Sequence, residues 1–210
     1  MNAVLPAPGT SVTVVEVGPR DGLQNETTRL TVAQRSAFVR ALAGAGLRRI
    51  EAGSFVNPKW VPAMGDSADV FAELADCRGA QLSALTPNTR GVEDALKAGV
   101  TNLAMFLSAS EAHSQKNINA SVAEALERAE SVVAAGRAGG ARVRGYVSVV
   151  FGCPYEGAVR IDRVVDLTVR LLELGCYEVS LGDTIGIGTP RDVQGLVLAL
   201  QQVGVDLSRV

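Results

Sequence analysis

Four ionisable residues carry the first chemical signal: Arg20 and Asp21, adjacent in VEVGPRDGLQNE, Glu51 in RRIEAGS and Asp183 in SLGDT. Each closes or closely follows a short apolar run that reads as a β-strand. Strand ends repeat the pattern elsewhere, with Thr86 and Asn88 after a third run and Ser108 and Ser110 after a fourth. Three carboxylates and a guanidinium gathered at one rim suit a hard divalent cation with oxygen ligands and a substrate carbonyl polarised by the arginine. Taken singly, each has a plainer structural explanation. An Arg-Asp pair beside Gly-Pro is commonly a solvated turn, and an aspartate before a glycine-containing loop can make an Asx turn onto its own backbone. Their shared place after three different strands favours a site. Glu16 can face a polar interior or a neighbouring helix, and no role follows for it.

The elements that must position these residues recur as one module. ALAGAGLRRIEAGS, ALKAGVTNLAMFLSA and LLELGCYEVSLGDT each run from an apolar helix end through a glycine suited to the left-handed conformation into a short strand and a polar group. Helix starts agree. Thr31 with Gln34, Ser121 with Glu124 and Thr189 with Asp192 place a hydroxyl three residues before a side chain that can reach back, and Pro190 suits a first helical position. The patterning predicts strands over Val12 to Val17, Arg48 to Glu51, Gln81 to Leu85, Asn102 to Leu107, Arg142 to Val150 and Glu178 to Leu181. Helices are expected over Val32 to Ala45, Asp66 to Ala75, Arg90 to Ala98, Val122 to Ala135, Ile161 to Leu174 and Pro190 to Val203. No linker interrupts these six βα units, so residues 1–210 are expected to form a single domain. Unbroken alternation allows a doubly wound open sheet or a (β/α)8 barrel, both of which carry their chemistry at the C-terminal strand ends. VGPRDGLQNE lacks the G-x-G-x-x-G spacing of a dinucleotide fold.

Composition removes several classes of function. With 210 residues, 47% hydrophobic content and a net charge of −2, the chain can bury a sizeable core and shows no electrostatic pull toward nucleic acid or anionic membrane. Aromatic residues at 4% argue against base-stacking platforms. No apolar run approaches the ~20 residues of a membrane span, and MNAVLPAPGT has neither a basic n-region nor an apolar h-region, so no export signal is expected. Cys77, Cys153 and Cys176 are odd in number and widely spaced, which fits a reducing, cytoplasmic setting better than a disulfide framework.

The residues also carry a resemblance. VEVGPRDGLQNE, IEAGSFVNPKWVPAMGD, QKNIN, RGYVSVVFGCPYEG and GCYEVSLGDTIGIGTP, in that order over nearly the whole chain, closely resemble the hydroxymethylglutaryl-CoA lyase family. The resemblance implies a TIM barrel and a metal-dependent cleavage of 3-hydroxy-3-methylglutaryl-CoA to acetoacetate and acetyl-CoA, as in leucine degradation, with magnesium or manganese as the cation. Carried onto this sequence, it implies Asp21 as a metal ligand and Arg20 as the group that steadies the enolate oxygen at the thioester carbonyl. Glu51 and Asp183 would orient the tertiary hydroxyl and aid its deprotonation. Gln24, Ser54 and Tyr155 resemble pocket residues, and Lys116 and Asn117 fall in a loop that resembles one facing coenzyme A. A homodimer is compatible with these features. In a full-length version, Arg20→Gln is expected to depress turnover far more than it changes stability.

The departures from that family are specific. Its His-x-His pair, a later asparagine and a cysteine in a late glycine-rich loop have no counterpart before VGVDLSRV, where its seventh strand would begin. The expectation is therefore an incomplete barrel of about six βα units, with the first and sixth strands as edges, associating in isolation and inactive alone. Alternatives are a catalytically silent acyl-CoA-binding remnant or a related Claisen-type condensing synthase. His113 in ASEAHSQKN is expected to be a solvated loop residue, and Cys153 a structural residue at the end of the fifth strand unless its thiol is unusually acidic.

Overall fold

The computed structural model describes residues 12–210, so the N-terminal MNAVLPAPGT lies outside the described residues. In chain order the elements are β1 Val15–Glu16, α1 Val32–Gly44, β2 Arg49–Ser54, α2 Ser67–Glu73, β3 Gln81–Leu85, α3 Thr89–Lys97, β4 Asn102–Ser108, α4 Glu111–Ile118 and α5 Val122–Ala138. They continue as β5 Arg142–Ser148, β6 Gly152–Cys153, β7 Gly157–Ala158, α6 Ile161–Leu174, β8 Glu178–Gly182 and α7 Pro190–Gln202. The chain divides into two compact units, one holding residues 12–104 and 135–142, the other 105–134 and 143–210.

In the first unit β1, β2, β3 and the start of β4 pair in parallel, with Glu16 opposite Ile50, Ile50 opposite Leu82 and Leu85 opposite Ala104. β2 is buried from Ile50 to Ser54, as a parallel strand covered on both faces requires. The core of this unit includes Val39 of α1, Val70 of α2 and Val92 of α3, all fully buried. In the second unit β5 pairs in parallel with β8, Gly145 opposite Val179, over a core of Val147, Val164, Leu171 and Leu200. β6 and β7 form a small antiparallel hairpin. The main strand order, β1-β2-β3-β4-β5-β8, follows the sequence without reversal. A doubly wound sheet reverses its order at a switch point, so the winding is that of a (β/α)8 barrel with six of its strands. Among the described residues β1 and β8 are its edges, as expected.

Local chemistry explains the helix boundaries. Thr31 with Gln34 and Thr189 with Asp192 form reciprocal capping boxes, and Ser121 exchanges the same pair of bonds with Glu124. The joint glycines Gly46, Gly99 and Gly175 all have positive φ, at 100°, 77° and 107°. No helix among the described residues is long and apolar enough to cross a membrane.

Three expectations need correction. The first strand is two residues long rather than six, because the chain turns into a wide helical turn at Gly18–Gly22. β2 runs on to Ser54 instead of closing at Glu51, because a register shift between Glu51 and Gly53 lets the strand continue past an extra residue. QKNIN is mostly helical: α4 starts at Ser110, whose hydroxyl accepts the His113 amide at 3.1 Å, and ends on left-handed Asn119 at φ 48°.

Candidate active site

In the first unit the charged cluster is assembled from β1 and β2. Glu16 Oε1 accepts the Gly18 amide at 2.6 Å and so holds the entry to the turn that follows β1. That turn carries Arg20, buried at 8% exposure, between two carboxylates. Its Nε donates to Glu51 Oε1 at 2.5 Å and its Nη1 to Asp21 Oδ1 at 2.6 Å. Glu51 is 1% exposed, whereas the Asp21 side chain is 53% exposed. Gln24 Nε2 reaches the same Asp21 oxygen at 3.2 Å. Ser54, at the end of β2, is buried and donates to the Leu85 carbonyl at 3.3 Å. The structure thus brings Arg20, Asp21, Glu51 and Gln24 into one hydrogen-bonded set and engages Ser54 in the backbone beside it.

In the second unit Asp183 follows β8, and its carboxylate accepts the amides of Ile187 at 3.2 Å and Gly188 at 2.8 Å. It therefore organises the loop that leads to α7, which is the turn-forming role weighed against a site role in the sequence. Thr86 and Asn88 are structural in the same sense, one bonding the Ala104 carbonyl and the other capping α3.

The second unit also gathers residues that sequence reasoning separated. His113 lies on α4, buried, with Nδ1 2.5 Å from the Ser108 hydroxyl. The expectation of a solvated loop histidine is wrong because Ser110 caps the helix and turns the ring inward. Burial lowers the pKa of His113 and keeps the imidazole neutral at pH 7. Cys153 sits in the β6–β7 hairpin rather than at the end of β5, and its Sγ accepts from the Ser110 hydroxyl at 2.9 Å and from the Tyr155 amide at 3.4 Å. Burial pushes the thiol up, but the Ser110 hydroxyl and the Tyr155 and Glu156 amides outweigh it and hold the thiol below its ordinary value. Lys116 lies on α4 rather than in a loop, with Nζ 5.6 Å from the centroid of the exposed Tyr155 ring. Asn117 is exposed on the same helix. The signal for α4 was present in the sequence: a serine cap, Glu111 in the first turn and an asparagine at the C-terminus.

The HMGL-like family model matches residues 11–207. The chain belongs to this family. It is 52% identical over 186 residues to the hydroxymethylglutaryl-CoA lyase of Pseudomonas mevalonii, a match covering 89% of this chain and 62% of that protein. Against the human mitochondrial hydroxymethylglutaryl-CoA lyase the identity is 44%, covering 91% of this chain and 59% of the human one. The solved hydroxymethylglutaryl-CoA lyase from Pseudomonas aeruginosa superposes with a TM-score of 0.87 at 51% identity, covering 91% of this chain and 64% of that one. An Acinetobacter baumannii HMG-CoA lyase, solved with coenzyme A and 3-methylmalate, gives 0.85 at 33% identity over 91% of this chain and 62% of that one. The chain thus spans about three fifths of the length of these relatives.

Among the described residues no group of three or more His, Cys, Asp and Glu side chains is close enough to hold a metal ion. Asp21 offers one carboxylate, already shared with Arg20 and Gln24, and a hard divalent cation takes about six oxygen ligands. The residues present do not make a complete metal site.

Proposed function

We propose that the residues of this chain serve the cleavage of 3-hydroxy-3-methylglutaryl-CoA to acetoacetate and acetyl-CoA. The observation that carries the proposal is the Arg20 guanidinium, held at 2.5 Å by buried Glu51 and at 2.6 Å by Asp21 after the first strand of a family barrel. Breaking the carbon–carbon bond of a tertiary alcohol β to a thioester leaves charge on the thioester oxygen. A guanidinium that is buried and already oriented stabilises that charge without reorganising. The two carboxylates fix its plane, so its position does not depend on substrate. The family reaction is metal-dependent in general, and Asp21 is a hard oxygen donor of the kind magnesium or manganese takes. It would supply one of the ligands that such an ion takes. Glu51 would stand next to the reacting oxygen as the acid that orients the tertiary hydroxyl. In the second unit Asp183 holds the loop that leads to α7. Lys116 beside the Tyr155 ring offers a cation for the phosphates of coenzyme A, the molecule bound in the Acinetobacter baumannii relative.

The test is a chimera in which this sequence replaces the matching segment of the Pseudomonas mevalonii relative. Acetoacetate release from 3-hydroxy-3-methylglutaryl-CoA is expected, with Arg20→Gln lowering it by at least about a hundredfold, the scale on which loss of one oxyanion-stabilising group acts. A folded chimera that leaves this substrate intact, or that only condenses acetyl-CoA with an acceptor, overturns the proposal.

A further inference from the structure

A second charged network lies in the first unit, outside the set just described, and its placement is costly. Arg35 on α1 is 1% exposed. Its Nη1 pairs with Asp66 and donates to the Ala63 carbonyl at 3.4 Å. Its Nη2 lies 3.4 Å from the Ala52 carbonyl and 3.5 Å from Ser67 Oγ, while its Nε has no hydrogen-bond partner. An arginine buried with an unsatisfied donor is a poor source of stability, because well-packed apolar residues serve a core as well or better. What it supplies here is geometry.

That geometry is aimed at the irregular part of β2. Ala52, whose carbonyl faces Arg35, is the residue that the Glu51/Gly53 register shift leaves out of step with β3. The next contact is made through Ser67, whose hydroxyl donates to the Met64 carbonyl at 2.7 Å and accepts the Ser54 amide at 3.1 Å. The brace therefore grips the strand on both sides of Gly53. It also explains why that residue is glycine: a Cβ there would lie 2.8 Å from Ser67 Oγ and 3.4 Å from Arg35 Nη2. Irregularities of this kind re-aim a side chain next to a site, and the side chain immediately before this one is Glu51.

We infer that Arg35, with Asp66 and Ser67, is a positioning residue that sets the β2 irregularity and thereby the aim of Glu51 at Arg20. The carboxylate direction is then fixed from behind the strand by a charge that never meets substrate. The geometric part stands on its own; only its consequence for turnover rests on the lyase reading.

The experiment reads the Arg20 Nε–H proton by NMR in the 210-residue chain, where its hydrogen bond to Glu51 slows exchange with water. Arg35→Met is expected to speed that exchange by roughly tenfold or more, the counterpart of one weakened charge-assisted hydrogen bond, together with exchange of the Ser54 amide, in a protein whose other amides stay protected. Arg35→Lys, which still offers Asp66 a cation, is expected to restore most of the protection. Ser67→Ala should weaken the Arg20–Glu51 bond in the same direction, and it decides the matter if Arg35→Met does not fold. Unchanged Arg20 Nε–H exchange in whichever folded variant is measured, or loss of protection spread evenly over all amides, overturns the inference. In the chimera the same variants should lower kcat and leave KM nearly unchanged. If the parent chimera is inactive, the lyase reading fails while the proton exchange still decides the brace.

Discussion

One arginine with two carboxylates at nearly equal distance makes a test of how burial weights an ion pair. Arg20 is 2.5 Å from Glu51 and 2.6 Å from Asp21, so bare Coulomb attraction is much the same for the two. The surroundings differ: the Glu51 side chain is 1% exposed and that of Asp21 53%. An exposed pair is screened and contributes about 0–1 kcal/mol, so Asp21→Asn should barely move the unfolding midpoint. Arg20→Gln takes the nearest guanidinium from a carboxylate shut away from water, and removal of one partner of a buried pair costs about 3–5 kcal/mol. Gln keeps one donor within reach, which points to the lower end of that range. For a chain of 210 residues this corresponds to a fall in Tm of roughly 6–12 °C, at 2–4 °C per kcal/mol. Glu51→Gln should cost less, since Arg20 retains Asp21, and the double variant Arg20→Gln with Glu51→Gln should recover much of the loss. Urea unfolding followed by circular dichroism on the wild type, both singles and the double gives the coupling directly. This stability cost stands beside the larger loss of turnover expected for Arg20→Gln, because the structure places this arginine in a buried pair. If Asp21→Asn costs as much as Arg20→Gln, or if the two losses at Arg20 and Glu51 simply add, burial is not what distinguishes the carboxylates and the reasoning fails.

Two further outcomes follow from titratable groups in the second unit and from the thiols. Burial holds His113 below its ordinary value of 6.5, so the unfolded chain binds its proton first as pH falls. Stability from this group is therefore full above about pH 6.5 and is lost as pH drops below it, and His113→Phe should flatten the fall in urea midpoint between pH 7 and 5 relative to wild type. Burial pushes Cys176 up to about 12, so iodoacetamide at pH 8 should label half-exposed Cys77 and leave Cys176 untouched until the chain is unfolded; rapid native labelling of Cys176 contradicts its burial.

Those features were legible where a local rule and the tertiary fold ask for the same residue. The capping pairs at Thr31, Ser121 and Thr189 and the left-handed glycines at 46, 99 and 175 satisfy orphan backbone groups wherever the helices pack, and all were readable from spacing alone. Asp21 and Arg20 were legible because a charge pair straight after an apolar run is out of place in a core. What stayed hidden depends on partners far along the chain. Nothing local marks Arg35 as buried: it stands on α1 as Arg40 does, and the carboxylate that makes its burial tolerable, Asp66, lies 31 positions away. The inward turn of His113 likewise depends on Ser108 and on the cap at Ser110, although the cap itself was visible. The length of β2 was misjudged because Gly53 looks like a strand breaker, when it is the residue that lets Ser67 and Arg35 approach the strand.

The shortness of β1 belongs to the same logic. In an extended strand successive side chains point to opposite faces, so an adjacent arginine and aspartate could not hydrogen-bond to one another. The wide turn at Gly18–Gly22 removes that constraint and lets Arg20 Nη1 meet Asp21 Oδ1 at 2.6 Å while its Nε remains on buried Glu51. Pro19 sets the start of the turn, and Glu16 secures it by taking the Gly18 amide, whose missing Cβ would otherwise lie 2.8 Å from the carboxylate oxygen. A β-branched run that stops at Gly18-Pro19 is therefore not a strand cut short by accident. It ends there because in a helical turn the two charges that follow point in neighbouring rather than opposite directions, close enough for Arg20 Nη1 to meet Asp21 Oδ1.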